Sequence, residues 1–150
     1  MNAVAVRRLT TADADLARRL FALLSEVFET TSAPLSNEYL NRLLDRPEFW
    51  AFAAFRGDEI IGGLTAHTLP MTRSEDSEIF IYDIAVRADE QRKGVGRRLV
   101  EALRVGAAEA GVQCVFVPAD NEDEHALEFY RAIGGAPSQV TFFTWPGQIS

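Results

Sequence analysis

The chain has 150 residues, 47% of them apolar, which suits one domain around a single substantial core and leaves little room for two. Fifteen basic against 22 acidic residues give a net charge of −7, which argues against nucleic acid as a partner and favours cationic ones. The single cysteine, Cys114, precludes an intramolecular disulfide and a C-x-x-C metal site, and no apolar N-terminal run reads as a signal or membrane segment, so a reduced cytoplasmic setting is expected.

Alternation in Val4-Ala5-Val6-Arg7 predicts a first strand. Thr11 then caps a helix running to about Phe28, with Leu16, Leu20, Leu23, Leu24 and Val27 on one face. Residues 29–34 are a turn cluster, after which Ser36 caps a short helix that carries Tyr39, Leu40, Leu43 and Leu44 toward the core until Pro47 closes it. Residues 49–55 and 60–68 read as strands joined by the hairpin composition Arg56-Gly57-Asp58-Glu59, and Pro70 ends the second. A nearly all-apolar strand follows at 78–86, then a polar turn at 87–90 and a basic amphipathic helix.

Gly111 is the expected C-terminal cap of that helix, and a strand then runs through Val117. Within this strand Cys114 reads as a buried core thiol, since free cysteine is among the most buried residue types. A last helix from about Glu124 to Ile133 ends at Gly134-Gly135, and Val140 to Trp145 makes the final strand. Hairpins followed by a strand–helix–strand–helix unit predict an α/β protein with a mixed sheet, and residues 1–150 form one domain without repeats or linkers. His67 and His125 lack the ligand spacing of a metal site, so no metal is expected.

Between the apolar strand and the basic helix lies Gln91-Arg92-Lys93-Gly94-Val95-Gly96, which reads as a pyrophosphate cradle. Its glycines let the backbone approach a ligand closely, and the N–H groups of a helix start attract anions. Arg92, Lys93, Arg97 and Arg98 oppose the helix dipole at this end, and a bound polyphosphate would give them a reason to be there. On the six residues alone, a glycine turn with a solvated basic face accounts for the pattern equally well. No G-x-x-x-x-G-K-[ST] occurs, and a dinucleotide fingerprint fails because Leu99 stands where its third glycine belongs.

The hexad resembles the [QR]-x-x-G-x-[GA] acyl-CoA signature of the GNAT N-acetyltransferase superfamily. Residues 126–135, with Phe129 and Tyr130 at their centre, resemble that superfamily's A-x-x-F-Y-x-x-x-G-F element. More narrowly, residues 77–86, together with Ala53-Ala54-Phe55, Leu69-Pro70 and Ala119-Asp120, resemble aminoglycoside acetyltransferases that modify the 3-amino group of 2-deoxystreptamine. Asn121 and His125 depart from the aromatic residue and the proline of those enzymes, at the substrate rim that the resemblance implies.

The resemblance implies a mixed, mostly antiparallel central sheet flanked by helices. In it the strands ending at Val86 and Val117 splay apart to admit acetyl-CoA, contacted by Ile84, Ala85, Val86, Gln91, Arg92, Lys93, Gly94, Val95, Gly96 and Arg97. It also implies a homodimer through an exposed edge or the C-terminal aromatic strand, with Phe142, Phe143 and Trp145. The implied activity is acetyl transfer to a cationic aminoglycoside by direct attack in a ternary complex, conferring antibiotic resistance. The alternatives are acetylation of a polyamine or other small amine, and a non-catalytic acyl-CoA-binding module.

Direct attack on a thioester needs a neutral amine, a polarised carbonyl and a proton for the departing thiolate. The resemblance places Tyr130 near the thioester sulfur, where a phenol of reference pKa about 10 can donate while neutral; in isolation, Phe129 and Tyr130 would read as core packing. Asp83 interrupts an apolar strand, so its carboxylate must be paired, hydrogen-bonded or open to a cleft. The resemblance puts it at the substrate end, as the group that orients or deprotonates the amine; a buried salt bridge to an arginine is the alternative. Strand alternation sets Asp83 opposite in facing to Tyr82, with Tyr82 and Glu78 as second candidates. Asp120, Glu122 and Asp123, with the cluster Glu75, Asp76 and Glu78, would form an acidic rim for a polycation, Asp123 doubling as a helix N-cap.

Overall fold

Local chemistry sets most element boundaries in the structure, a computed structural model that describes residues 3–31 and 33–147; Ser32 of the expected turn cluster lies outside them. The chain divides into two units, one up to Pro118 and one from Ala119.

The first unit is built on a five-stranded sheet of order β1 (Val4–Arg8), β2 (Phe49–Arg56), β3 (Glu59–Pro70), β4 (Ser77–Val86) and β5 (Cys114–Phe116). The first four strands are antiparallel, and β5 lies parallel to β4. The β2–β3 hairpin turns at Gly57-Asp58, where Gly57 takes the left-handed φ of 62°. β4 and β5 pair only at Glu78, Ile79 and Phe80, opposite Cys114, Val115 and Phe116. Beyond Phe80, β4 has no strand partner on that side among the described residues, because β5 ends at Phe116.

Helix α1 (Ala14–Val27) is entered through a 3-10 turn whose cap is Thr10, not Thr11. The capping box decides this: the Thr10 N–H donates to Asp13 Oδ2 at 2.8 Å, and the Thr10 hydroxyl accepts from Ala12 N–H at 3.4 Å. Helix α2 (Asn37–Leu44) starts at Ser36, whose Oγ accepts from Tyr39 N–H at 3.1 Å. Leu40 and Leu44 of α2 are buried with Ala17, Leu20 and Leu24 of α1 against Phe49, Ala51 and Ala53 of β2. Tyr39 is half exposed instead of buried, because the i, i+4 pair Leu40 and Leu44 takes the inner face.

Trp50, on the opposite face of β2, packs on helix α3 (Val95–Glu109). A Cβ at Gly106 would sit 2.8 Å from the indole, so the glycine is required by close approach, at a helix cost of about 1 kcal/mol. The indole N–H donates to Thr68 Oγ1 at 2.7 Å, and the Arg8 guanidinium lies 3.8 Å from the ring centroid. α3 ends as expected, with Gly111 left-handed at φ 76° and Val112 N–H donating to Ala107 O at 2.8 Å. Cys114 is exposed, against expectation: β5 is an edge strand of three residues among the described ones, too short to bury its first side chain.

In the second unit, helix α4 (Glu124–Ala132) is capped by Asp123, whose Oδ1 accepts from Ala126 N–H at 3.1 Å, and it stops at left-handed Gly134. The strand expected at 140–145 is not formed. A strand exists only through a ladder partner, and these residues have none among those described. Val140, Phe142, Phe143 and Trp145 are 68 to 86% exposed. No helix among the described residues is long and apolar enough to cross a membrane.

Candidate active site

Asp83 is placed by an irregularity in the sheet. Thr65 lies opposite Asp83 and Ala66 opposite Ile81, so Tyr82 is the extra residue of a β-bulge in β4. The bulge cancels the alternation that would set Tyr82 and Asp83 on opposite faces, and both line one cavity of about 590 Å³. Its other walls are Thr65 and His67 from β3, Phe49 from β2, and apolar side chains of α1 and α2, among them Phe21, Leu24 and Tyr39. Asp83 is half-buried and makes no ion pair among the described residues, so the salt-bridge alternative is not what holds it there; it opens onto the cavity. Burial pushes its carboxyl above the ordinary value.

His67 is a cavity residue that the sequence reading passed over. Its ring lies 5.3 Å from that of Phe49 and 5.9 Å, edge-on, from that of Tyr82. Burial, and secondarily the charge of Arg46, hold its pKa below 6.5, so the imidazole is neutral at pH 7. The available signal was its position two residues after Thr65 on the same strand face. Glu78 sits five residues before Asp83, opposite Leu69 and Cys114, and does not line this cavity.

The hexad forms the junction from β4 to α3. Gln91 Nε2 donates to Val86 O at 2.9 Å, closing the turn. Arg92 and Gly94 both take left-handed backbone, with φ of 64° and 83°. Gly94 is the N-cap of α3 and supplies no side chain, and the first helical bond runs from Arg98 N–H to Gly94 O at 3.1 Å. The N–H groups of Val95 and Gly96 therefore have no protein acceptor among the described residues, and a Cβ at Gly94 would meet nothing within 4 Å. Open donors beside open space suit a polyphosphate. Among the cations noted in the sequence, Lys93 Nζ is 3.5 Å from Glu90 Oε1, and Arg98 donates to the Val4 carbonyl. Ala85 is buried in the core, and Ile84 and Val86 are half-buried beside it.

In the second unit, Tyr130 is partly buried on α4, its ring 5.2 Å from that of Phe129. Burial, and then the carboxylate of Asp123, raise its pKa above 10, so the phenol stays protonated. Asp120 and Asp123 both have local duties: Asp120 Oδ1 accepts from Glu122 N–H at 3.0 Å, and Asp123 caps α4. Glu122 is exposed.

A β4 edge left open beyond Phe80 and a glycine-led helix start with open N–H groups are features that suit a phosphate-bearing ligand. Residues 15–134 match the acetyltransferase (GNAT) family, and the chain belongs to it; such enzymes are acetyl-CoA-dependent. Among solved structures it is similar to the aminoglycoside acetyltransferase meta-AAC0020 from an uncultured soil metagenomic sample, in complex with sisomicin. That likeness is 34% identity with a TM-score of 0.93, covering 97% of each chain. It is similar also to HMB0005, an aminoglycoside acetyltransferase from such a sample, at 34% identity and TM-score 0.93, covering 97% of this chain and 99% of that one. The uncharacterized N-acetyltransferase YvbK of Bacillus subtilis (strain 168) is 30% identical over 66% of this chain, a match that spans 59% of its own length.

Proposed function

We propose that the protein transfers acetyl from acetyl-CoA to an amino group of a cationic aminoglycoside, with the 3-amino group of 2-deoxystreptamine as the acceptor, and that this confers antibiotic resistance in the cytoplasm. The observation that carries the reading is Asp83, a carboxylate without an ion-pair partner among the described residues, opening onto a cavity of about 590 Å³. The likeness to an aminoglycoside acetyltransferase solved with sisomicin supports the substrate class.

Bound acetyl-CoA supplies the activated acetyl thioester. The N–H groups of Val95 and Gly96, with Arg92, Lys93 and Arg97, would hold its phosphates, and Ile84, Ala85 and Val86 would border the rest. Asp83 orients the acceptor ammonium and takes its proton, directly or through water, with Tyr82 beside it. Tyr130 donates a proton to the leaving thiolate, and Asp120, Glu122, Asp123 and Glu78 add negative charge for a polycation. The exposed Phe142, Phe143 and Trp145 support a homodimer, which light scattering tests.

A second reading is favoured by the cavity walls. They are largely apolar, with Asp83 their single carboxylate, which suits one ammonium on a hydrophobic body. Release of CoA from acetyl-CoA separates the readings, using gentamicin, sisomicin, kanamycin, spermidine, phenethylamine and no acceptor. Fast turnover with the first three supports the proposal. Turnover confined to phenethylamine or spermidine overturns the substrate class, and none at all despite acetyl-CoA binding would favour a non-catalytic module.

A further inference from the structure

Glu90 alone among the acidic side chains of the described residues is buried, at 5% exposure, and it directly precedes the hexad. A carboxylate in such a place is costly unless paired with good geometry. Its geometry is bidentate: Oε2 accepts from Arg56 Nε at 3.0 Å and Oε1 from Arg56 Nη2 at 2.9 Å. Arg56 ends β2, so the pair ties a strand end to the start of the loop. The same carboxylate lies 3.5 Å from Lys93 Nζ, inside the hexad, and 3.9 Å from Arg87 Nη2.

The loop needs such anchoring. Arg92 is a non-glycine residue in left-handed backbone, a conformation that persists only where the surroundings over-determine it. Gln91 is held from one side through the Val86 carbonyl, and Lys93 from the other through Glu90, with Arg92 between them.

We propose that Glu90, clamped by Arg56, is a positioning residue for acetyl-CoA: it fixes residues 91–94 in the shape that aims the Val95 and Gly96 N–H groups at the phosphates, and it stations Lys93 beside them. The proposal rests on this loop being the acetyl-CoA site. Its sign is opposite to that of simple electrostatics. A carboxylate next to a polyphosphate site repels the ligand, so removing its charge should tighten binding if Glu90 acts only as a charge. The clamp predicts that binding weakens.

The test is calorimetric titration of acetyl-CoA into the wild-type protein, Glu90→Ala, Glu90→Gln, Arg56→Lys and the double variant Glu90→Ala with Arg56→Lys, together with steady-state kinetics. The dissociation constant and the KM for acetyl-CoA should rise about tenfold in Glu90→Ala and less in Glu90→Gln, which keeps an acceptor for Arg56, and the double variant should be no worse than its weaker single. At saturating acetyl-CoA, kcat and the acceptor KM should stay within about twofold, a split that loss of stability would not produce. Should Glu90→Ala fail to fold, Glu90→Gln and Arg56→Lys carry the same comparison. Unchanged or tighter acetyl-CoA binding in the folded variants, or equal losses in both substrates, overturns the clamp. Absence of binding in the wild-type protein overturns the assignment of the loop itself, and the clamp with it.

Discussion

Tyr82 and Asp83 are sequence neighbours whose side chains line the same cavity, because the extra residue of the β4 bulge cancels strand alternation at that step. A phenol and a carboxylate thereby line one cavity, where a regular strand would have sent one of them to the far face.

Replacing Asp83 by Asn should lower kcat/KM for the amine about 100-fold while leaving the acetyl-CoA KM nearly unchanged. Equal losses for both substrates would assign Asp83 a structural role. Burial raises the Asp83 pKa, so the native state binds this proton more tightly than the unfolded chain does. The associated stability is full below the ordinary carboxyl value and is lost as pH rises through the raised one. The Tm of Asp83→Asn should therefore gain on that of the wild type as pH rises above about 4, as scanning calorimetry would read.

His67 should govern acceptor recognition and not cofactor affinity. His67→Leu is expected to change acceptor KM about tenfold with an unaltered acetyl-CoA dissociation constant. Because the folded pKa of His67 lies below 6.5, its neutral form contributes stability above that value, lost as pH falls through the folded pKa. The variant should lack this acid-side loss, and an identical Tm profile from pH 7 to pH 5 would count against a buried neutral imidazole.

Tyr130→Phe should reduce kcat about 100-fold at saturating substrates, with acetyl-CoA affinity within about twofold. The raised pKa of Tyr130 keeps the donor protonated above pH 7, while the neutral fraction of the acceptor amine grows with pH. Wild-type kcat/KM should thus climb toward alkaline pH, and the variant should stay slow at every pH. Full turnover in the variant removes Tyr130 from the chemistry.

At Gly94 the backbone itself is the constraint. Gly94→Ala places a Cβ where nothing lies within 4 Å, so its stability cost is that of left-handed backbone alone, about 1–2 kcal/mol. The new methyl group would face the open space proposed to hold the phosphates, and acetyl-CoA binding should weaken beyond what stability explains. Urea denaturation and calorimetric titration measure the two effects separately, and retained affinity would move the phosphates elsewhere.

Sequence reading succeeded where the determining chemistry is local. Ser36, Gly111 and Asp123 each mark a helix end by what their own few neighbours can bond, and the structure puts each at that end. Thr10 displaced Thr11 because its partner Asp13 completes a box that a single-residue reading does not see. The strand expected at 140–145 and the burial expected of Cys114 depend on partners distant in sequence, which composition does not specify. The cavity was obscured for a related reason: Phe21, Leu24 and Tyr39 carry the same periodicity whether they face a packed core or an opening within it. The hexad and Asp83 stood out because glycine after a strand, and a charge within one, both break their local pattern.

The chain's two tryptophans occupy opposite extremes, Trp50 at 5% exposure against α3 and Trp145 at 86% in the C-terminal segment. Its intrinsic fluorescence is therefore a sum of a shielded, blue emitter and an accessible, red one. Iodide would extinguish the second and spare the first, so a single cuvette can follow the integrity of the sheet and the fate of the tail as separate signals, without any label.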